Sequence, residues 1–416
     1  MSYTEQLAIN GGPKVRNRPF PDRGLLGEEE KEAVIALFDE AIATGIAIGY
    51  LGPEEEAYCS EFASFMGGGY ADAVNSGTTA VYVALRALDL EPFTEVIVSP
   101  ITDPGGMMPI ALLNCIPVIA DSAPGKYNTD AEQIEKLITP LTSAILVAHI
   151  GGEPLNIEAI VALGKKYGIP VVEDCAQAHG ASINGKLVGS FGDIAAFSTM
   201  FGKHHCTGGQ GGVVFTRQEA LYWRARQASD RGKPFGLPEG STNAIASLNF
   251  NLNDLAAAIG REQLKKLPII VQKRRALAAK LSERLSGLQS IIIPPQIEGA
   301  ESSYWWWRLE VNTEQISCDK DTYCRALSAE GLPINPSYRA MPHLMDWFQQ
   351  QNVFGTSGYP WKAPAYKGNA DREFQCPNAM AATSVQFNLY ITESWGEQEI
   401  ADTLAAFEKV DLAYKK

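Results

Sequence analysis

Residues 171–180 read VVEDCAQAHG, and the way this stretch folds decides how the rest of the chain is organised. The apolar run at 170–173 is too short for a helix and has the continuous character of a strand covered on both faces. It ends in two carboxylates, Glu173 and Asp174, with Gln177 and His179 just beyond. Working outward, residues 144–150, 194–198 and 212–216 are similar runs, and 157–167 has a helical period. Farther out, 95–99 and 116–120 are strand-like, while 78–89 and 130–138 are helical. Strands alternating with helices predict an α/β fold with a large, mostly parallel sheet covered on both faces. In such sheets ligands bind outside the carboxyl ends of the strands, where Asp174 stands. A helix N-cap or an ion pair is the equal alternative for that carboxylate.

Residues 28–43 form a helical pattern with an apolar stripe of Val34, Ile35, Leu37, Phe38, Ala41 and Ile42, stopped by Gly45. The pattern changes near Asn253. Residues 254–285 are helix-rich with a break expected at Pro268, and their lysines and arginines suit a solvated face. A strand at 305–311 and helices at 319–330 and 397–410 follow. The expected organisation is a large α/β domain, 1–253, with an N-terminal arm. A smaller α+β domain, 254–416, includes the long connecting helix.

The 416 residues are 45% hydrophobic and 20% charged, with 35 basic and 48 acidic side chains, so 35 − 48 = −13. This excludes a disordered or collagen-like chain and argues against nucleic-acid or anionic-membrane partners. Seven cysteines without a C-x-x-C pair suit reduced thiols in a cytoplasm. Residues 1–16 hold no apolar leader core, and no apolar run reaches membrane-spanning length.

Four segments carry chemistry. Asn75-Ser76-Gly77-Thr78-Thr79 opens a helix, where small residues either present amides to a phosphate or serve only as a cap. The second is the Glu173–Gly180 stretch. In the third, Ser198 ends a strand and Lys203 follows five residues later in apolar surroundings. There a desolvated amine can attack a carbonyl, although most lysines simply sit in solvent. His204-His205-Cys206 lacks a spaced third ligand, so no metal is expected. The fourth, Gly208-Gly209-Gln210-Gly211-Gly212, permits close backbone approach or is a plain flexible turn.

In this order the segments resemble the DegT/DnrJ/StrS family of pyridoxal-phosphate-dependent sugar aminotransferases. The resemblance adds LAINGGP at 7–13, Asn249-Phe250-Asn251 and DLAAAIG at 254–260, and covers nearly the whole chain. It implies a fold-type-I aminotransferase, a homodimer with shared active sites and pyridoxal 5'-phosphate as cofactor. By that resemblance Lys203 holds the cofactor covalently and moves the substrate proton. Asp174 keeps the pyridine nitrogen protonated, and Gln177 bonds the phenolic oxygen. Gly77, Thr78 and Ser198 hold the phosphate, with Asn249 reaching it from the neighbouring subunit. Asp103 stands beside the cofactor, where family members often place a stacking aromatic, and Asn251 replaces a frequent arginine.

The implied reaction moves an amino group from glutamate or glutamine to a keto or aldehydo sugar. The stretch 203–210 looks closest to the branch that converts 8-oxo-3,8-dideoxy-manno-octulosonate to its 8-amino sugar for lipopolysaccharide. A nucleotide-linked keto hexose or a free inosose is the alternative acceptor. Substrate-side candidates are His204, His205, Arg231, Arg308, Tyr338 and Arg339, with His343 a looser match. Counting back from the glycine turn puts His204 in the lysine's place, which would make a cofactor-dependent sugar dehydratase. A non-catalytic cofactor-binding regulator is the remaining alternative.

Overall fold

The computed structural model describes residues 3–338 and 340–416. Seven strands form one sheet in the spatial order Tyr70–Val74, Gly212–Thr216, Ile194–Ser198, Val171–Asp174, Thr142–Ala148, Glu95–Val98 and Ile116–Ile119. The last five pair in parallel, while Gly212–Thr216 runs antiparallel to both its neighbours. Alternation sends side chains to the two faces. Ala144, Leu146 and Ala148 join an apolar cluster with the Gly77–Ala87 helix, and Ile145 and Val147 one with the Ile157–Tyr167 helix.

A second, antiparallel sheet is ordered Ile291–Ile292, Trp307–Val311, Gln386–Leu389 and Ile334–Asn335. The Lys320–Ala329 and Glu397–Tyr414 helices pack with it, and Leu7 is buried in the same cluster.

Two expectations need correction. Asp254–Leu285 is one helix that runs through Pro268 without a break. Pro268 faces solvent, while Leu264 and Leu267 before it and Ile270 and Val271 after it are buried, so packing on both sides outweighs the lost hydrogen bond. The strand expected at 305–311 begins only at Trp307, because Tyr304 has a φ of 51° and Trp305 N–H donates to Gly151 O. Trp305 and Trp306 therefore do not alternate as strand residues. The Tyr70–Val74 strand was not anticipated at all. The Glu28–Thr44 helix ends as expected on Gly45, at φ 72°, but Ile35, Phe38 and Ile42 of its apolar stripe are exposed.

Candidate active site

Asp174 and Ser198 are the last residues of neighbouring parallel strands, so both lie at the carboxyl edge of the sheet. The Gly77–Ala87 helix starts at the same edge. Ser76 caps it by accepting the Thr79 N–H at 3.1 Å, and the first helical amides have no partner within the helix. A Cβ on Gly77 would lie 2.5 Å from Ser198 Cβ, so only glycine lets the helix start meet the strand end. These ends surround a cavity of about 180 Å³ whose lining includes Gly77, Thr78, Asp103, Asp174, Gln177, Ser198 and Lys203. The cavity is also lined by Thr102, Gly105, Gly106, His149, Met200 and Gln210, none of which was singled out as a site residue from the sequence. His149 is the most consequential of these. Its only signal was a histidine at the end of a strand-like run.

Burial raises the Asp174 pKa, opposed by the Ala176 N–H at 3.0 Å and by the charge of Lys203. Burial lowers the Lys203 pKa, opposed by Asp174 and Asp103. Gln177 is fixed at both ends: Oε1 accepts from Gly151 N–H at 2.8 Å, and Nε2 donates to Tyr338 Oη at 3.1 Å. His149 Nδ1 accepts from Leu155 N–H, so Nε2 carries the hydrogen given to Glu173 at 3.0 Å. His149, Glu173 and Cys175 bring ligand-type atoms within 4.8 Å of one another, but both imidazole nitrogens are already engaged in these bonds. Asp103 Oδ1 accepts from Gly105 N–H at 2.9 Å and shapes the turn beside the cavity.

The remaining sequence candidates do not line this cavity. His204 is fully buried behind the lysine with Nε2 donating to Ser303 O at 3.0 Å, and His205 pairs with Tyr58 Oη at 2.9 Å. Arg231 bonds Asp230 and Tyr50, and Arg308 bonds Glu153 and Gln386, so both cations are neutralised elsewhere. Tyr338 bonds the site's Gln177 and lies close enough to Asp103 and Asp174 to feel their charge. His343 lies against a separate polar pocket beside the edge strand Ile116–Ile119. Asn249 is exposed outside the cavity of its own protomer, and Arg339 lies outside the described residues.

Residues 28–408 match the model of the DegT/DnrJ/EryC1/StrS aminotransferase family. The L-glutamine:2-deoxy-scyllo-inosose aminotransferase of Micromonospora echinospora is 31% identical over 356 residues, covering 81% of this chain and 83% of its own. The dTDP-3-amino-3,4,6-trideoxy-alpha-D-glucose transaminase of Streptomyces venezuelae is 31% identical over 361 residues, 87% of each chain. The X-ray structure of an aminotransferase from Psychrobacter cryohalolentis superposes with a TM-score of 0.81 at 26% identity, covering 94% of this chain and 98% of its own.

Proposed function

The chain belongs to the DegT/DnrJ/EryC1/StrS aminotransferase family, and on that premise we propose that it moves an amino group from glutamate or glutamine to the carbonyl of a keto or aldehydo sugar, with Lys203 as the reacting amine. It is a pyridoxal-phosphate-dependent sugar aminotransferase. Three features of the cavity suit that cofactor: the glycine-only contact at the helix start, the buried carboxylate of Asp174 and the buried amine of Lys203. When bound, pyridoxal phosphate supplies an electron sink for the substrate carbon. Gly77, Thr78 and Ser198 would hold its phosphate at the positive end of the helix. Asp174 would pair with its ring nitrogen, and Gln177, held at both ends, would orient it. Lys203 would be the amine that holds it, and its Nζ would take and return the substrate proton, a task suited by the pKa that burial lowers.

The observation that carries this reading is the meeting of the buried Lys203 and Asp174 in one cavity with pKa values pushed in opposite directions. Purified protein is expected to be yellow, to bleach with glutamate or glutamine, and to lose the visible band in Lys203→Ala. An unchanged spectrum in that variant overturns the assignment. Placement favours Lys203 over His204 as the base, because Lys203 lines the cavity and His204 does not.

Among the described residues, the charged side chains lining the cavity within one protomer are Asp103, Asp174 and Lys203, one cation against two carboxylates. That balance favours an acceptor whose reacting end is uncharged, an inosose or a nucleotide-linked keto hexose. It counts against 8-oxo-3,8-dideoxy-manno-octulosonate, for which only the 203–210 stretch speaks. Amination of all three with glutamate and with glutamine separates them.

A homodimer is part of the proposal. Phe201 is 68% exposed beside Lys203 and Leu248 63% exposed beside Asn249, surfaces that a second copy would cover while bringing Asn249 to the phosphate end. Division into 1–253 and 254–416 is supported by the seven-stranded and four-stranded sheets, each drawn from one segment, although a small three-stranded sheet pairs Ala300–Glu301 with Ser182–Ile183 across the boundary. A cytoplasmic location is supported by seven unpaired thiols. No helix among the described residues is long and apolar enough to cross a membrane.

A further inference from the structure

Arg23 grips the peptide of the lysine loop, donating to Lys203 O at 2.5 Å and to His204 O at 3.1 Å. Glu393 holds Arg23 at 2.8 Å and Arg274 at 2.7 Å. Arg274, only 2% exposed, donates in turn to Tyr304 O at 2.8 Å. Tyr304 has the positive φ noted above, a conformation that surrounding contacts must hold. The next residue is Trp305. Its Nε1 donates to Gly202 O at 3.1 Å, and Lys203 Nζ lies 3.9 Å from its ring centroid. One ion triad, drawn from three distant parts of the chain, therefore fixes both the lysine's backbone and the ring its amine rests on.

We propose that Trp305 is a positioning residue for Lys203, its ring face holding the free amine as an ammonium while the Arg23–Glu393–Arg274 triad keeps ring and lysine loop in register. An ammonium over an indole face is attracted by the ring quadrupole, and more strongly when desolvated. Lys203 is 7% exposed. Among the described residues, the groups facing it are the carboxylates Asp174 and Asp103, which favour its charge, and neighbouring His179, held neutral by burial. A carboxylate in place of Trp305 would also favour the cation but would compete for its proton. An indole supports the charge and cannot take the proton, which suits an amine that must be parked and then used.

The inference rests on Lys203 being the reacting amine. Its test is a titration of the cofactor-free full-length chain, reductively methylated with 13C-formaldehyde. The Lys203 resonance is identified by its loss in Lys203→Arg. In Trp305→Leu the ammonium-to-amine ratio at fixed pH should fall about threefold to thirtyfold. Trp305→Phe keeps a ring face without the Nε1 bond and should fall between Leu and wild type. Replacing all seven tryptophans with 5-fluorotryptophan preserves shape and weakens the ring face, so it should move the midpoint the same way and serves if the Leu variant does not fold. A midpoint unmoved by fluorination, or equal shifts for Leu and Phe, overturns the proposal. No donor or acceptor is present, so this failure is distinct from failure of the amino-transfer reading, which the spectrum of Lys203→Ala decides.

Discussion

Glu173 and Asp174 are consecutive residues of one strand, so their side chains leave by opposite faces and meet different surroundings. Glu173 receives the amides of Gly189, Phe191 and Gly192 at 2.6–2.8 Å and the His149 Nε2 hydrogen. Burial pushes its pKa up, but His149 and these amides together hold it below the usual carboxylate range. Asp174 receives one protein amide, and burial raises it. Glu173 is thus a structural charge, and Asp174 the one left available to a ligand. The folded pKa of Glu173 is depressed, so its contribution to stability is complete above the unfolded-state value and is lost as pH falls through the folded one. Glu173→Gln should cost about 2–4 kcal/mol in neutral denaturant unfolding. It should also lose less stability than wild type on going from about pH 5 to about pH 3. Equal acid sensitivity in the two proteins would show that Glu173 carries no such charge. The carboxylate pair is plain in the sequence. Which member is free is not, because the donors to Glu173 come from a loop 16 to 19 residues on and from a histidine 24 residues back.

Among the elements, local periodicity is a good guide where a segment's burial is uniform and a poor one where tertiary contacts override it. Ile157–Tyr167, Ile194–Ser198 and Gly212–Thr216 lie where the apolar pattern puts them. Tyr70–Val74 escapes because Gly-Gly-Gly precedes it and Asp72 interrupts it. That aspartate is buried and paired with Arg226 at 3.2 Å, a partner no local window contains. The unbroken Asp254–Leu285 helix is the opposite case, a proline rule overruled by apolar contacts on both sides. Proline in a helix interior is about 3 kcal/mol worse than alanine, partly offset by the stiffer unfolded chain. Pro268→Ala should therefore raise stability by about 1–2 kcal/mol, seen as a higher denaturant midpoint with an unchanged slope. A lower midpoint would mean that the proline sets a bend the helix needs in order to lie along the sheet.

At the scale of the molecule, the net charge of −13 opposes association of two copies, so a dimer must rest on apolar surface and should tighten with salt. The Glu28–Thr44 helix offers such a surface: Phe38 is 50% and Ile42 79% exposed on a stripe that the sequence marks as apolar and that the protomer leaves uncovered. Composition alone could not place this face, since an apolar stripe looks the same whether it meets its own core or another chain. In a two-fold interface each residue occurs twice, so one substitution removes two contacts. At about 1.5–3 kcal/mol for each large apolar side chain, Ile42→Glu should weaken the dimer by about 3–6 kcal/mol, a hundredfold or more in Kd. Sedimentation at low and high salt measures this. On the proposed shared site, amino transfer should fall in parallel with dimer content, because Asn249 lies outside its own protomer's cavity and would act only on a neighbour's. An Ile42→Glu protein that stays dimeric would place the interface on another face. One that is monomeric yet fully active would remove Asn249 from the site and leave each protomer complete by itself.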